Sequence, residues 1–272
     1  MKKIILVVFA SFTTTFSFSQ FGINNAGART NALGDAGTSL IDGFSAANNQ
    51  GAMAFVENIT LAVSAISYYQ FEDLTSAWIA FTLPTENAGT FGFTFNFRGD
   101  ETFQYNKAGI AYGLQLFDQF GIGIQLNGLH TVITQTDDGW AATGEVGLYY
   151  TPIKEFAASF RIFNAAQTKI GGGIPDDQLP TFVNFGIAYI PSDVFGIYLD
   201  GELNTSESFR IKTGLEYLVA DILYLRGGFM SNPAQYTVGF GLMFDNFFLD
   251  ASTQYHPQLG MSPSAAFLYE FE

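Results

Sequence analysis

The feature that most constrains this chain is a repeated alternation of apolar side chains with small or polar ones. It recurs in fourteen stretches of about ten residues between Ile59 and the end of the sequence, and a short turn follows each stretch. It is clearest over 91–98, where a phenylalanine occupies every second position. Because successive side chains of a strand point to opposite faces, one face would meet lipid and the other a polar interior. This pattern is typical of a transmembrane β-barrel.

The predicted fold is all-β: a fourteen-stranded antiparallel transmembrane β-barrel with a short N-terminal plug or hatch segment. An even strand count lets both barrel ends lie on the periplasmic side, so tight turns would face the periplasm and longer loops the outside. The loop between Asn164 and Pro180 is long enough to fold over the lumen. The predicted strands are 59–71, 76–84, 89–98, 106–117, 120–134, 140–151, 155–164, 180–190, 195–204, 208–218, 221–230, 235–244, 246–256 and 263–271.

The start of the chain predicts export. Two lysines precede an apolar run and small residues follow it, which is the pattern of a signal peptide over residues 1–19. We expect a plug or lead-in segment over 20–58, with one short helix around 46–56, and the barrel over 59–272. The sequence has no cysteine, and no later apolar run reaches the roughly 18 residues that a spanning helix needs. An exported, aromatic-rich chain of this kind is expected as an integral protein of the outer membrane.

Net charge and the scarcity of histidine exclude several functions. The net charge is −14 and becomes −16 once Lys2 and Lys3 leave with the signal peptide, so nucleic acid is excluded as a partner. The expected partners are outer-membrane lipid and lipopolysaccharide, and another outer-membrane or secretion-system protein. His130 and His256 are the only histidines, and neither has a metal-ligand spacing around it. We therefore expect no catalysis, no cofactor and no metal site.

Ten charged residues occupy positions of the predicted strands whose side chains point into the lumen, which we call inward parity. They form a candidate charge network in the lumen: Arg98, Glu145, Arg161, Asp200, Glu202, Arg210, Lys212, Glu216, Arg226 and Asp250. A charge in a narrow lumen is costly unless it is paired. Two interpretations follow. The charges form a structural ladder of ion pairs in a closed barrel, or they line an open channel and select its solutes.

Large side chains with the opposite parity are expected to meet lipid. In the third and twelfth predicted strands they include Phe93 and Phe240. Tyrosine and tryptophan near strand ends are expected at the two membrane interfaces, as in the aromatic girdles of barrels. These residues are Tyr68, Tyr69, Trp78, Trp140, Tyr150 and Tyr189.

The segment before the barrel resembles a known family. It runs Gly-Ala-Arg over 27–29, Leu-Gly-Asp-Ala-Gly-Thr-Ser-Leu over 33–40 and Asn-Asn-Gln-Gly over 48–51. This is similar to the start of PorV/PorQ-type barrels of Bacteroidetes, which belong to the FadL-like class of fourteen-stranded outer-membrane proteins. The resemblance implies a plug motif formed by Gly27, Arg29, Gly34, Asp35, Asn48 and Asn49.

The same resemblance implies a non-catalytic role, as an accessory or partner subunit of the type IX secretion system. The alternative is a FadL-like channel for small hydrophobic solutes. A filled lumen with an exposed groove for a second protein would favour the partner role, whereas an apolar path through the lumen would favour transport.

Overall fold

The computed structural model describes residues 25–134, 138–172, 178–205 and 207–271, so the predicted signal peptide over 1–19 lies outside the described residues. Three short helices precede the strands: α1 (Ala28–Ala32), α2 (Ser45–Asn48) and α3 (Gln50–Met53). The strands are β1 (Ile59–Ser67), β2 (Thr75–Thr85), β3 (Gly89–Gly99), β4 (Phe103–Phe117), β5 (Phe120–Ile133), β6 (Gly139–Ile153), β7 (Phe156–Phe163), β8 (Gly171–Gly172), β9 (Phe182–Ser192), β10 (Phe195–Asn204), β11 (Glu207–Ala220), β12 (Leu223–Met230), β13 (Gln235–Phe244), β14 (Phe247–His256) and β15 (Gly260–Phe271).

The strands close into one antiparallel barrel. β1 pairs with β15 as well as with β2, and Ile59 lies opposite Phe271. β8 only extends β6 at Gly139 and Trp140, and β7 pairs directly with β9. The predicted fourteen-stranded barrel is confirmed, with β8 as one extra strand. Both chain ends of the barrel and the tight turns lie at the same edge, which is therefore the periplasmic one.

Side-chain burial follows the predicted alternation. Phe93 is 45% exposed on the outer face, whereas the next residue, Thr94, is fully buried on the inner face. The outer face thus carries the apolar band that contact with lipid requires. Of the two tryptophans expected at the membrane interfaces, Trp140 is exposed, whereas Trp78 is buried in the lumen and its prediction is wrong. Trp78 shares the inward parity of Ala80 in β2, so its position in the strand decides its environment.

Differences between predicted and observed strand bounds have local causes. β1 ends at Ser67 and not at 71, because Tyr69 and Gln70 have φ angles of 56° and 61°, which an extended strand does not contain. β4 begins at Phe103 and not at 106. The Asp100 Oδ1 accepts a hydrogen bond of 2.9 Å from the backbone N–H of Phe103 and so closes a tight loop before β4. This outer loop is therefore shorter than expected.

Residues 25–58 fold inside the barrel, and we call them the plug. α1 packs against β12 to β15 and α3 against β4 to β6, so the plug reaches opposite walls of the lumen. The single helix expected around 46–56 is split into α2 and α3, because Asn49 between them is extended, with φ −164° and ψ 112°. The Asn49 side chain caps α3 by accepting a hydrogen bond from the N–H of Gly51. None of the described helices is long and apolar enough to cross a membrane.

The loop between β7 and β9, described over 164–172 and 178–181, packs against the inner wall at the outer end of the barrel, and we call it the cap. Ile170 and Leu179 of the cap are 5% and 3% exposed and form an apolar cluster with Tyr105 and Leu129 of the inner wall. The fully buried Asn164 holds the cap together by donating from Nδ2 to the Leu179 carbonyl at 2.8 Å. The loop expected to fold over the lumen does so in its described residues.

Candidate functional site

The charged side chains of the lumen fall into three clusters, which we call the outer, middle and inner clusters, and they do not form one continuous ladder. The outer cluster is Lys107, Glu145 and Arg161. The middle cluster is Asp35, Glu202, Arg210 and Lys212. The inner cluster, nearest the periplasm, is Arg29, Glu216, Arg226 and Asp250. The plug supplies one member of the middle cluster and one of the inner cluster.

The outer cluster places one carboxylate between two cations. Arg161 donates from Nε and Nη2 to the Glu145 Oε2 at 2.9 and 2.6 Å, and Lys107 donates from Nζ to Oε1 at 3.0 Å. The Lys107 ammonium also lies 5.2 Å from the centre of the Trp78 ring and 5.4 Å from that of Phe163, which is cation–π geometry. The sequence network omits Lys107, although its inward parity in β4 was the signal that could have identified it.

Amide side chains surround the outer cluster and connect it to the plug. Asn127 donates to the Glu145 Oε1 at 2.9 Å, and Gln125 accepts from the plug residue Gln50 at 2.9 Å. Gln125 and Asn127 also share a hydrogen bond of 2.6 Å. Because a charge buried in the lumen needs partners on every side, these amides complete the environment of Glu145. The sequence network did not include them.

The middle cluster joins the plug to β10 and β11. Lys212 donates from Nζ to the Asp35 Oδ2 at 2.6 Å and to the Glu202 Oε2 at 2.8 Å. The Arg210 guanidinium lies 3.7 Å from Glu202, which also accepts from Asn184 at 3.0 Å. Burial raises the pKa of the Asp35 carboxyl above its usual value, and the Lys212 ammonium opposes that rise.

Asp200 holds the plug by hydrogen bonds. Its Oδ2 accepts from the backbone N–H and from the hydroxyl of Thr38, at 2.9 and 2.6 Å. The residue opposite it in β11 is Lys212, which turns instead to Asp35 and Glu202. Inward parity therefore identified Asp200 as a lumen residue but gave no sign that its partner is in the plug.

The inner cluster shares one carboxylate between two arginines. Arg29 donates from Nε and Nη2 to the two oxygens of Glu216, at 2.9 and 2.7 Å. Arg226 donates from Nε to the Glu216 Oε2 at 2.6 Å and from Nη1 to Asp250. Arg29 also reaches Asp42, at 3.5 Å. Burial raises the pKa of Asp42 above its usual value, and Arg29 opposes that rise.

The two glycines of the predicted plug motif occupy positions that other residues could not fill well. Gly27 has φ 100° at the start of α1, and its N–H donates to the Ser64 hydroxyl at 3.2 Å. Gly34 has φ 66°, and a Cβ there would lie 2.6 Å from the Phe229 carbonyl oxygen of the wall. Its N–H donates to the Thr237 hydroxyl at 3.0 Å. Gly34 therefore allows the plug backbone to touch the barrel wall.

The two asparagines of the motif fix the plug loops. Asn48 accepts from the N–H of Ala26 at 2.7 Å and donates to the Ala26 carbonyl at 3.0 Å. Asn49 donates to the Thr38 carbonyl at 2.8 Å and to the Leu148 carbonyl of β6 at 3.1 Å. Each side chain thus ties together segments that are distant in the sequence.

Arg98 lies apart from the three clusters. Its guanidinium is 5.5 Å from the centre of the Tyr68 ring, near the outer end of β3. The structure therefore divides the ten predicted network residues among the three clusters, the Thr38–Asp200 contact and this outer position.

A cavity of about 390 Å³ lies between the plug and the wall at the periplasmic end, and we call it the inner cavity. Its apolar lining includes Ile41, Phe44, Met243, Phe248 and Leu268. The inner cluster forms its charged side. A second cavity of about 370 Å³ opens beside residues 54–57 and the turn between β2 and β3, where its lining is more polar.

Both histidines make local contacts at the outer end of the barrel. His130 lies 2.9 Å from Asp138 and stacks on Trp140 at the outer rim, with 4.0 Å between the ring centres. The His256 Nδ1 accepts from the N–H groups of Gln258 and Leu259, at 3.1 and 3.2 Å, and so shapes the turn before β15. Among the described residues, no group of three or more His, Asp or Glu side chains could hold a metal ion.

Comparisons with known proteins identify the fold. No protein-family model and no curated protein sequence matches the chain. The TodX monoaromatic hydrocarbon channel, as its deltaS2 mutant, matches with a TM-score of 0.72 at 10% identity, covering 93% of this chain and 100% of that one. A FadL homologue of Pseudomonas aeruginosa matches with a TM-score of 0.67 at 12% identity, covering 92% and 98%. The toluene transporter TodX of Pseudomonas putida matches with a TM-score of 0.68 at 9% identity, covering 92% and 100%. The chain therefore has the fold of FadL-type channels, integral barrels of the outer membrane.

Proposed function

We propose that this protein is an outer-membrane channel for small hydrophobic solutes. The observation that carries the proposal is the inner cavity, which has about 390 Å³ and an apolar wall directly beside the plug. An apolar cavity of roughly 150 Å³ is enough to bind benzene, so one monoaromatic molecule fits. Two of the structural neighbours are described as a monoaromatic hydrocarbon channel and a toluene transporter, which supports the same class of solute.

In this proposal, the described conformation is the closed state of the channel. The cap packs against the inner wall at the outer end, and the plug crosses the lumen from one wall to the other. We propose that a solute from outside reaches the inner cavity when the plug moves. Several contacts that hold the plug are single hydrogen bonds, such as that of 2.7 Å between the Ser39 and Ser159 hydroxyls. Each is worth about 0.5–1.5 kcal/mol net, so a local shift of the plug is energetically accessible.

The accessory role in type IX secretion, which the PorV/PorQ resemblance implies, has less support. A partner protein at the outer face would meet a small surface, because only residues 100–102 separate β3 from β4 and only 257–259 separate β14 from β15. Two of the structural neighbours named above are described as a channel and a transporter. Transport is therefore the better-supported of the two functions.

The experiment locks the plug to the wall. The chain has no cysteine, so the double variant Ser39→Cys/Ser159→Cys contains a single pair of thiols. The two thiols replace hydroxyls that are hydrogen-bonded to each other, so they are close enough to form a disulfide. The full chain is expressed in cells that lack their own hydrocarbon channel, and uptake of radiolabelled toluene is measured. Oxidation of the double variant should lower uptake to the level of cells without the protein. Reduction should restore it.

The matched controls are the single variants Ser39→Cys and Ser159→Cys, whose uptake should not respond to oxidant. If the unmodified chain gives no more uptake than empty cells, the channel proposal is wrong. If the oxidised double variant transports as well as the reduced one, the solute does not pass the plug and the proposed route is wrong.

A further inference from the structure

The charges around the inner cavity are unbalanced. Arg29 and Arg226 are the two cationic side chains of its lining. Five carboxylates face them: Asp42, Asp193, Glu216, Asp250 and Glu270. With all of these groups ionised, the lining has a net charge of 2 − 5 = −3. A charged solute that enters the cavity therefore meets a negative wall.

Both arginines already form ion pairs with carboxylates of the protein. Arg29 makes a bidentate pair with Glu216, at 2.9 and 2.7 Å, and extends to Asp42 at 3.5 Å. Arg226 joins Glu216 to Asp250. A carboxylate solute would have to displace one of these partners and leave its charge uncompensated in the wall. A carboxylate solute can therefore pair with an arginine of the cavity only by breaking an existing ion pair.

The remaining acidic groups lie towards the rim of the cavity. Asp193 is exposed in the turn between β9 and β10, and Glu270 is half-buried near the end of β15. Asn58 donates to Glu270 at 3.1 Å, a neutral contact that leaves the negative charge uncompensated. A solute that enters or leaves the cavity on the periplasmic side passes these carboxylates.

We infer that the inner cavity is a binding site for apolar solutes that are cationic or uncharged, and that it excludes carboxylates. The inference rests on the proposed channel function, because it specifies the class of solute that the channel accepts. The ring of an aromatic amine would pack against Ile41, Phe44 and Phe248, and its ammonium would face the acidic side. Affinity should fall from amine to alcohol to carboxylate for the same ring.

The size of the preference follows from Coulomb's law. A unit charge roughly 6 Å from a single carboxylate in water-like surroundings changes its affinity by a few-fold, and salt weakens the effect. Opposite solute charges should therefore differ by at least about tenfold at low ionic strength, and by less at 0.5 M salt.

The test uses three compounds that share one ring: benzylamine, benzyl alcohol and benzoate. Their dissociation constants for the full chain in a zwitterionic detergent are measured by ligand-observed NMR. The variant Ile41→Trp, which places a larger side chain in the lining and should obstruct the cavity, supplies the background due to micelles. We expect benzylamine to bind more tightly than benzyl alcohol, and benzoate to give only the background signal.

A variant without the two rim charges tests whether they cause the preference for the amine. Asp193→Asn/Glu270→Gln keeps the size of both side chains and removes two negative charges, so it should weaken benzylamine binding roughly fivefold and leave benzyl alcohol unchanged. The control Asp118→Asn removes the same kind of charge in the turn between β4 and β5, away from the cavity, and should leave all three affinities unchanged.

The outcomes separate this inference from the channel proposal. Tightest binding by benzoate, or equal binding of all three compounds, would overturn the inference even if toluene uptake is normal. The same holds if none of the compounds binds above the Ile41→Trp background. The expected order of binding in a protein that fails to transport toluene would instead support the site and remove the channel function.

Discussion

Glu145 holds the outer cluster together, because it is the one carboxylate between Lys107 and Arg161. Glu145→Gln should leave both cations without a charged partner and lower the free energy of unfolding by about 3–5 kcal/mol. Lys107→Met should cost far less, about 1 kcal/mol, since Glu145 keeps both hydrogen bonds from Arg161. Urea unfolding of the refolded barrel in lipid vesicles measures both changes.

The double variant Lys107→Met/Glu145→Gln provides the control for this prediction. It removes one cation together with the carboxylate, so it should be more stable than Glu145→Gln alone. Equal losses in the two single variants would mean that the three charges are not coupled as the distances indicate.

At the residue scale, the sequence could predict which way a side chain points but not which partner it meets. Parity placed Lys212 and Glu216 in the lumen, because alternation is a local property of a strand. Their plug partners, Asp35 and Arg29, lie 177 and 187 residues away along the chain. No periodicity connects these positions, since the plug has no repeat. The pairing depends on how the whole plug docks.

At the scale of the strands, the stability lost by placing a charge on the lipid-facing side should depend on how deep the residue lies in the membrane. Phe93, 45% exposed in the middle of β3, should lose about 2–4 kcal/mol of unfolding free energy on replacement by arginine. Phe117 is 75% exposed at the periplasmic end of β4, and Phe117→Arg should cost at most about 1 kcal/mol. The two variants are compared by unfolding in vesicles. A larger loss at Phe117 would place the membrane at a different height.

The plug should depend on its closest approach to the wall. Gly34→Ala adds a Cβ at φ 66° against the Phe229 carbonyl, so it should cost at least about 1–3 kcal/mol and loosen the plug. Gly128→Ala is the control, because nothing lies within 4 Å of a Cβ there. Limited proteolysis of residues 25–58 reports on docking. Equal protection of both variants would show that the plug does not need this contact.

The strands and the plug show which elements can be predicted from a sequence pattern and which cannot. The strands were predictable because alternation and turn residues repeat in each of them. β8 was not, because its two glycines pair with Gly139 and Trp140 only after the cap has folded. The division of the plug into α1, α2 and α3 was also missed, since helices of four or five residues carry no amphipathic period. Short elements depend on tertiary contacts.

For the whole molecule, the wall and its contents have separate roles. Each barrel strand pairs with two neighbours of the wall, and these pairings do not involve the plug. The cap, the charge clusters and the plug close the space inside. About eight strands make a barrel that side chains alone can fill, whereas sixteen leave an aqueous channel. A wall of fourteen strands is therefore expected to leave a pore when its contents are removed.

This separation predicts the conductance of the protein in a planar bilayer. The intact chain should conduct almost no ions, because the plug crosses the lumen and the cap packs at its outer end. Deletion of residues 25–53 should give steady openings, since the fourteen wall strands retain all their pairings. The deletion variant must still resist SDS without heating, as a closed barrel does, to exclude leakage through a damaged wall. Steady conductance by the intact chain would mean that the lumen is open and that its charges select ions.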